Sequence, residues 1–328
     1  MNKAGIKDLS ASIHQRLLNN ARQTGRPFAE VLQYFAIERF LYRLSISPYA
    51  DKFILKGALM LSTWEPGLPR PTKDIDLLGR TKNDIAVIEG IMRSVCGLKT
   101  ATPDGLVFDP AGVEGERITE NADYQGVRVG FLGNLGKARV TMQIDIGFGD
   151  VVFPAARKVV YPGILADMPR PVLKGYGKES IVAEKLEAMV KLGVFNSRMK
   201  DFFDIWLLSR QFDFQGGVLA KAVEKTFKNR STVITREPDV FTGVFAQDKA
   251  KQTQWRAFIR KNRLDGAPPA FSDTLAGIAA FLKPVLASLR SGGSFSANWK
   301  ASGPWKGFAV GQKRIGPDKG GHWEVVSR

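Results

Sequence analysis

The stretch from Phe53 to Leu78, FILKGALMLSTWEPGLPRPTKDIDLL, constrains the fold more than any other part of the chain. Phe53–Leu55 reads as a strand that runs into a pair of small residues, Gly57-Ala58, and Ala58–Trp64 reads as a short helix. Pro66, Gly67, Pro69 and Pro71 then interrupt regular structure. Asp74-Ile75-Asp76-Leu77-Leu78 has the character of a second strand. Residues i and i+2 of a strand share a face, with Cα atoms ~6.6 Å apart. Asp74 and Asp76 therefore converge on one divalent ion or on two neighbouring ions, while Ile75 and Leu77 point into the core. Carboxylate oxygens suit magnesium (or manganese), which keeps positions for phosphate oxygens and water. In isolation, D-x-D equally marks a turn or a solvated strand face. The preceding strand, glycine turn and helix favour the metal reading.

The residues around this pair extend it. Gly57-Ala58 either brings backbone N–H groups close to a triphosphate or supplies a tight turn that needs glycine for its dihedral angles. Thr72 shares the Asp74 face, so its hydroxyl can reach a phosphate; Thr72 and Lys73 equally suit a solvated strand start. Further on, Val140 to Ile146 alternates, with Val140, Met142 and Ile144 on one face and Thr141, Gln143 and Asp145 on the other. Asp145 is the natural third carboxylate, as a metal ligand or as the base for an attacking hydroxyl.

A second constellation is helical. Over Lys178–Leu192, at 100° per residue, Ile181, Val182, Leu186, Met189 and Leu192 form one arc, and Glu184, Glu187 and Lys191 lie opposite. Lys185 falls inside the apolar arc, where it either snorkels or meets an anion. Met199–Leu208, MKDFFDIWLL, is apolar almost all round and should be buried. Asp201 and Asp204 interrupt it and need cationic partners, Lys185 being one candidate. Arg198 and Lys200 add positive charge at its start.

Composition narrows the partner class. Forty-eight Lys/Arg against 32 Asp/Glu give a formal charge of +16, which points first to a nucleic acid, the alternative being a merely soluble basic protein. Residues 251–328 hold 13 Lys/Arg and 4 Asp/Glu, a net +9. Cys96 is the only cysteine and His14 and His322 the only histidines, which rules out an intramolecular disulfide and a Cys/His zinc cluster. The start, MNKAGIKDLS, has no apolar signal-peptide region, and no apolar run approaches the ~18 residues of a membrane span. The expected setting is the cytoplasm, with no membrane partner.

Four segments follow from these patterns. Residues 1–50 read as two helices, Ser10–Thr24 and Pro27 to about Leu44, packing on the next unit. Residues 51–172 form a β-rich core with a helix at Asp84–Cys96 and glycine turns at Gly130, Gly133 and Gly136. Residues 173–290 form a helical domain. Residues 291–328 are a basic Gly/Ser-rich extension, flexible or a small β-element. The class is α+β.

Taken together, the N-terminal helices with FILKGALML, then PTKDIDLLGR, VTMQIDIGFGD and ESIVAEKLEAMVKLGVFNSRMKDFFDIWLLSR, resemble the AbiEii/AbiGii toxin family of nucleotidyltransferases over roughly residues 8–235. The resemblance implies a polymerase-beta-like nucleotidyltransferase core with a mixed sheet, followed by a helical domain. It implies a toxin of a toxin–antitoxin or phage-defence pair, with a cognate antitoxin as partner. It also implies magnesium and an NTP, with transfer of nucleotides to RNA, above all the 3′ acceptor end of tRNA. By position, Gly57 matches the start of the first motif, with Ala58 where Gly or Ser is common. Asp74 and Asp76 match the metal pair, and Thr72 a Ser/Thr position beside them. Lys185 matches the later lysine, and Asp201 or Asp204 its partner acid, Asp201 being favoured because it follows Lys200. Two other readings remain: phosphoryl transfer to a protein such as the antitoxin, and a non-catalytic nucleic-acid-binding module on a transferase fold.

Overall fold

The computed structural model describes residues 8–64, 71–120 and 124–307. The last part of the expected C-terminal extension, 308–328, lies outside the described residues.

Two helices open the chain. Helix α1 (Leu9–Thr24) starts where the Asp8 carboxylate accepts from Ala11 N–H and stops at Gly25, whose φ of 68° is left-handed. It buries Ile13, Leu17 and Ala21, the face the sequence periodicity picks out. Helix α2 (Phe28–Ile46) is buried along most of its length. It carries Arg43 inward, where the guanidinium grips both oxygens of Asp104 at 2.7 and 3.0 Å.

The core then runs β1 (Phe53–Leu55), α3 (Leu59–Trp64), β2 (Asp74–Gly79) and α4 (Ile85–Cys96). Strands β3 (Leu106–Phe108), β4 (Glu114–Glu120), β5 (Tyr124–Leu135) and β6 (Ala138–Phe148) follow. Strands β7 (Arg157–Val160) and β8 (Val172–Gly175) complete an eight-stranded mixed sheet. Its order is β3-β5-β6-β2-β1-β8-β7, with β4 added on β5. Strand β2 pairs parallel to β6 and antiparallel to β1. Gly136 (φ 57°) makes the β5–β6 turn. Gly130 and Gly133, expected as turns, instead sit inside β5, because pairing with β6 runs unbroken from Val127 to Leu135.

Beyond β8 come α5 (Lys178–Leu192), α6 (Met199–Gln211), β9 (Phe214–Gln215), α7 (Gly216–Asn229), α8 (Gly243–Gln247), α9 (Lys249–Asn262) and α10 (Phe271–Arg290). By length and composition α10 could cross a membrane, contrary to the expectation that no segment would. Here it buries Phe271, Leu275, Ile278, Phe281, Leu282 and Val285 in the protein core, which accounts for its apolar character. After α10, β10 (Asn298–Trp299) pairs with β9 and with β11 (Trp305–Lys306). This part of the extension is thus a small β-element. Trp299 Nε1 donates to Ser209 O at 2.7 Å and Trp305 Nε1 to Phe281 O at 2.8 Å, tying it to α6 and α10.

Candidate active site

The sheet register builds one wall of a cleft. Asp76 pairs with Asp145 across β2 and β6, and Asp74 with Gln143. Parallel partners point the same way, so Asp74, Asp76 and Asp145 share a face, with strands ~4.8 Å apart. Ile75 and Leu77 are buried on the other face. On β5, Arg128 pairs with Asp145 and holds both of its oxygens at 2.8 Å. That guanidinium offsets the repulsion between two in-register carboxylates. It also keeps Asp145 turned toward β5. Among the described residues no three His, Cys, Asp or Glu side chains are gathered as a metal site. Asp145, the expected third carboxylate, lines the cleft with Asp74 and Asp76 and is shared there with Arg128.

Gly57 closes the floor of the cleft. Lys56 N–H donates to Asp76 O at 3.0 Å, so the turn after β1 continues the ladder beside β2. Gly57 has a φ of 68°, and a Cβ placed on it would stand 2.0 Å from Asp76 Oδ2. Glycine is required here twice over: for the left-handed backbone and for the close approach of the carboxylate. Ala58 is buried at the cleft edge. The donor set of Asp74 and Asp76, hard oxygens on one strand face against a side-chain-free turn, fits a magnesium ion. Such an ion completes its shell with water and substrate phosphate oxygens.

The opposite wall is helical. Lys185 on α5 reaches Asp201 Oδ1 at 2.5 Å and Asp204 Oδ2 at 2.9 Å, both on α6. Arg198 Nε stands 2.7 Å from Asp201 Oδ2. Lys185 therefore meets carboxylates rather than snorkelling, and it binds both candidate acids, not one. Burial acts to raise the Asp201 carboxyl, but the charges of Lys185 and Arg198 outweigh it and hold the group below the usual carboxylate range. Arg198 and Lys200 also line the cleft. Thr72 and Lys73 do not. They border a neighbouring cavity of about 540 Å³, where Thr72 N–H donates to the Tyr34 hydroxyl at 2.8 Å. Asp74 lies between the two spaces and lines both.

An ionic cluster that sequence reasoning missed adjoins these residues, and its Lys56, Glu184 and Arg230 line the cleft. Asp150 accepts from Lys56 Nζ at 3.0 Å and from Arg230 at 2.7 Å. Arg230 also binds Glu187 at 2.8 Å, and Lys56 stands 3.6 Å from Glu184. Glu184 and Glu187 thus face this cluster; the side of α5 opposite its apolar arc is an internal surface, and Glu187 is fully buried. Burial raises the Asp150 carboxyl less than Lys56 and Arg230 lower it, whereas for Glu184 burial prevails and the carboxyl is raised. Lys56 was detectable as the one charge within FILKGALML. Arg230, just past the end of α7, carried no such signal.

One cleft thus joins paired aspartates on a central strand of a mixed sheet, a glycine turn against one of them, and a lysine-bearing helix opposite. The family described as "Nucleotidyl transferase AbiEii toxin, Type IV TA system" matches residues 39–277, well over half of the chain. The protein belongs to the AbiEii family of nucleotidyltransferase toxins from type IV toxin–antitoxin systems. No curated protein matches it. Among solved structures, a protein from H. pylori described as a nucleotidyltransferase is 14% identical, with a TM-score of 0.41 over 81% of this chain and 98% of its own. JHP933 from Helicobacter pylori is 13% identical, also with a TM-score of 0.41, over 88% and 96%.

Proposed function

We propose that the protein transfers a nucleotide from an NTP to RNA, with the 3′ acceptor end of tRNA as the leading acceptor, and so blocks translation until its antitoxin intervenes. The observation that carries this reading is the facing of Asp74 and Asp76 by Lys185 across one cleft. An RNA hydroxyl attacks the α-phosphorus, a new P–O bond forms, and the bond to the bridging oxygen breaks to release pyrophosphate. Asp74 and Asp76 hold the divalent metal, which when bound neutralises charge on the triphosphate. Gly57 keeps the floor open for Asp76. Lys185, held by Asp201 and Asp204, places a fixed positive charge where phosphate charge develops. Asp145 retains lone pairs beyond those used by Arg128 and stands beside Asp76 to accept the hydroxyl proton. The formal charge of +16 favours a polyanionic acceptor in the cytoplasm.

The test uses each α-labelled NTP with magnesium or manganese and total tRNA. Label is expected on RNA, and absence of transfer from all four NTPs would sink the reading. Gamma-labelled ATP with the antitoxin present separates protein phosphorylation, since nucleotidyl transfer leaves the γ-label in pyrophosphate.

A further inference from the structure

A cavity of about 750 Å³ lies apart from the cleft of Asp74 and Asp76. It opens between the β7 edge of the sheet and the small C-terminal sheet, and Tyr176 lines both spaces. Its two acids are already paired: Asp213 with Lys300 at 2.7 Å and Glu179 with Lys178 at 3.1 Å. Arg157 and Lys158 on the edge strand remain, both exposed and with no ion pair or side-chain hydrogen bond among the described residues. The cavity is therefore net positive. Its aromatic wall is Trp64 and Phe212, half-buried with ring centroids 5.9 Å apart. Lys300 enters only because Trp299 and Trp305 draw the chain after α10 back onto α6 and α10.

We propose that this cavity binds an unpaired segment of the acceptor RNA. The proposal rests on RNA being the acceptor. Cations along one rim suit phosphates, and aromatic faces beside them suit unpaired bases. A duplex keeps its bases stacked inside and offers the aromatic faces nothing to receive. Tyr176, itself buried, lines both the cavity and the catalytic cleft, so the two spaces are neighbours.

The test is equilibrium binding of a fluorescein-labelled single-stranded oligoribonucleotide to the full chain by anisotropy, at several salt concentrations, without NTP. Arg157→Ser/Lys158→Ser, at exposed positions, should weaken binding several-fold. It should also reduce the salt slope by about 1.4, or ~0.7 for each phosphate that is no longer neutralised. Trp64→Ala should weaken binding roughly ten-fold with the salt slope unchanged, since stacking is worth ~1–3 kcal/mol per base. Lys300→Ser provides a second exposed variant should Trp64→Ala unfold. Affinities within two-fold of wild type for the double variant and for Lys300→Ser would overturn the proposal. So would equal sensitivity to these substitutions with duplex RNA, or binding of an acidic peptide, but not RNA, that depends on them. Binding is read without turnover. Groove-dependent binding with no nucleotide transfer would therefore count against the proposed activity alone, and intact transfer with groove-independent binding against this inference alone.

Discussion

Asp76 and Gly57 are shaped to one another: the Asp76 carboxylate occupies the space that any side chain on Gly57 would fill, 2.0 Å from the position of its Cβ. Gly57→Ala forces either the carboxylate or the turn to move, and it adds the left-handed cost of roughly 1–3 kcal/mol. We expect transfer activity to be lost and the urea midpoint to fall by a corresponding amount. A variant with wild-type activity would show that Asp76 does not need this position.

The Asp74 carboxylate forms no ion pair or hydrogen bond among the described residues. Asp74→Asn should therefore leave the thermal midpoint nearly unchanged while lowering transfer by more than the ~10–100-fold typical of outer-sphere metal partners. Addition of a chelator to the wild type should mimic it. Activity within a few-fold of wild type would remove Asp74 from the metal site.

Lys185 sits between two buried carboxylates. Lys185→Met removes the cation the two share and leaves Asp201 with Arg198 alone, and breaking such a buried pair costs ~3–5 kcal/mol. A large loss of stability is expected from the single substitution, partly recovered in Lys185→Met/Asp201→Asn. Activity should not recover in the double variant. Recovered activity would assign Lys185 a structural role only.

Asp201 has a folded-state carboxyl below its ordinary value. Its contribution to stability is complete above the unfolded value of ~3.9 and is lost as pH falls through the lower folded value. Asp201→Asn should flatten the acid limb of the stability profile below about pH 4. A profile parallel to wild type in denaturant titrations at pH 2–5 would contradict this.

Glu184 behaves in the opposite sense, since burial raises its carboxyl. Its folded state favours the protonated form, and this contribution is lost as pH rises through the raised value. Glu184→Gln should then be neutral or stabilising at pH 8. Asp150→Asn, which leaves Lys56 and Arg230 facing a neutral amide, should cost ~3–5 kcal/mol. Chemical denaturation of the two variants at pH 8 distinguishes them, and equal losses would refute the division of roles.

The elements that hold the site were legible because their signals are local. Asp74 and Asp76 on one face of β2, Asp145 on the polar face of β6, and Lys185 within an apolar arc of α5 all follow from the periods of strand and helix. The small C-terminal sheet was left open because strands of two residues carry no periodicity, and its pairing with β9 depends on a contact between Trp299 and a distant helix. Gly130 and Gly133 misled because glycine inside a long strand looks the same in sequence as glycine in a turn.

The sequence alone determined which side chains share a strand or helix face and which pairs of carboxylates travel together, since those are set by spacing over two to four residues. Only the tertiary structure decided the partner of each charge. Arg128 takes Asp145, Lys185 takes both α6 acids, and Arg230 reaches back across 80 residues of chain to Asp150. Ion pairing depends on distance in space and on the shared exclusion of water. Neither is encoded in the local pattern, and both appear only once the helical walls close over the sheet.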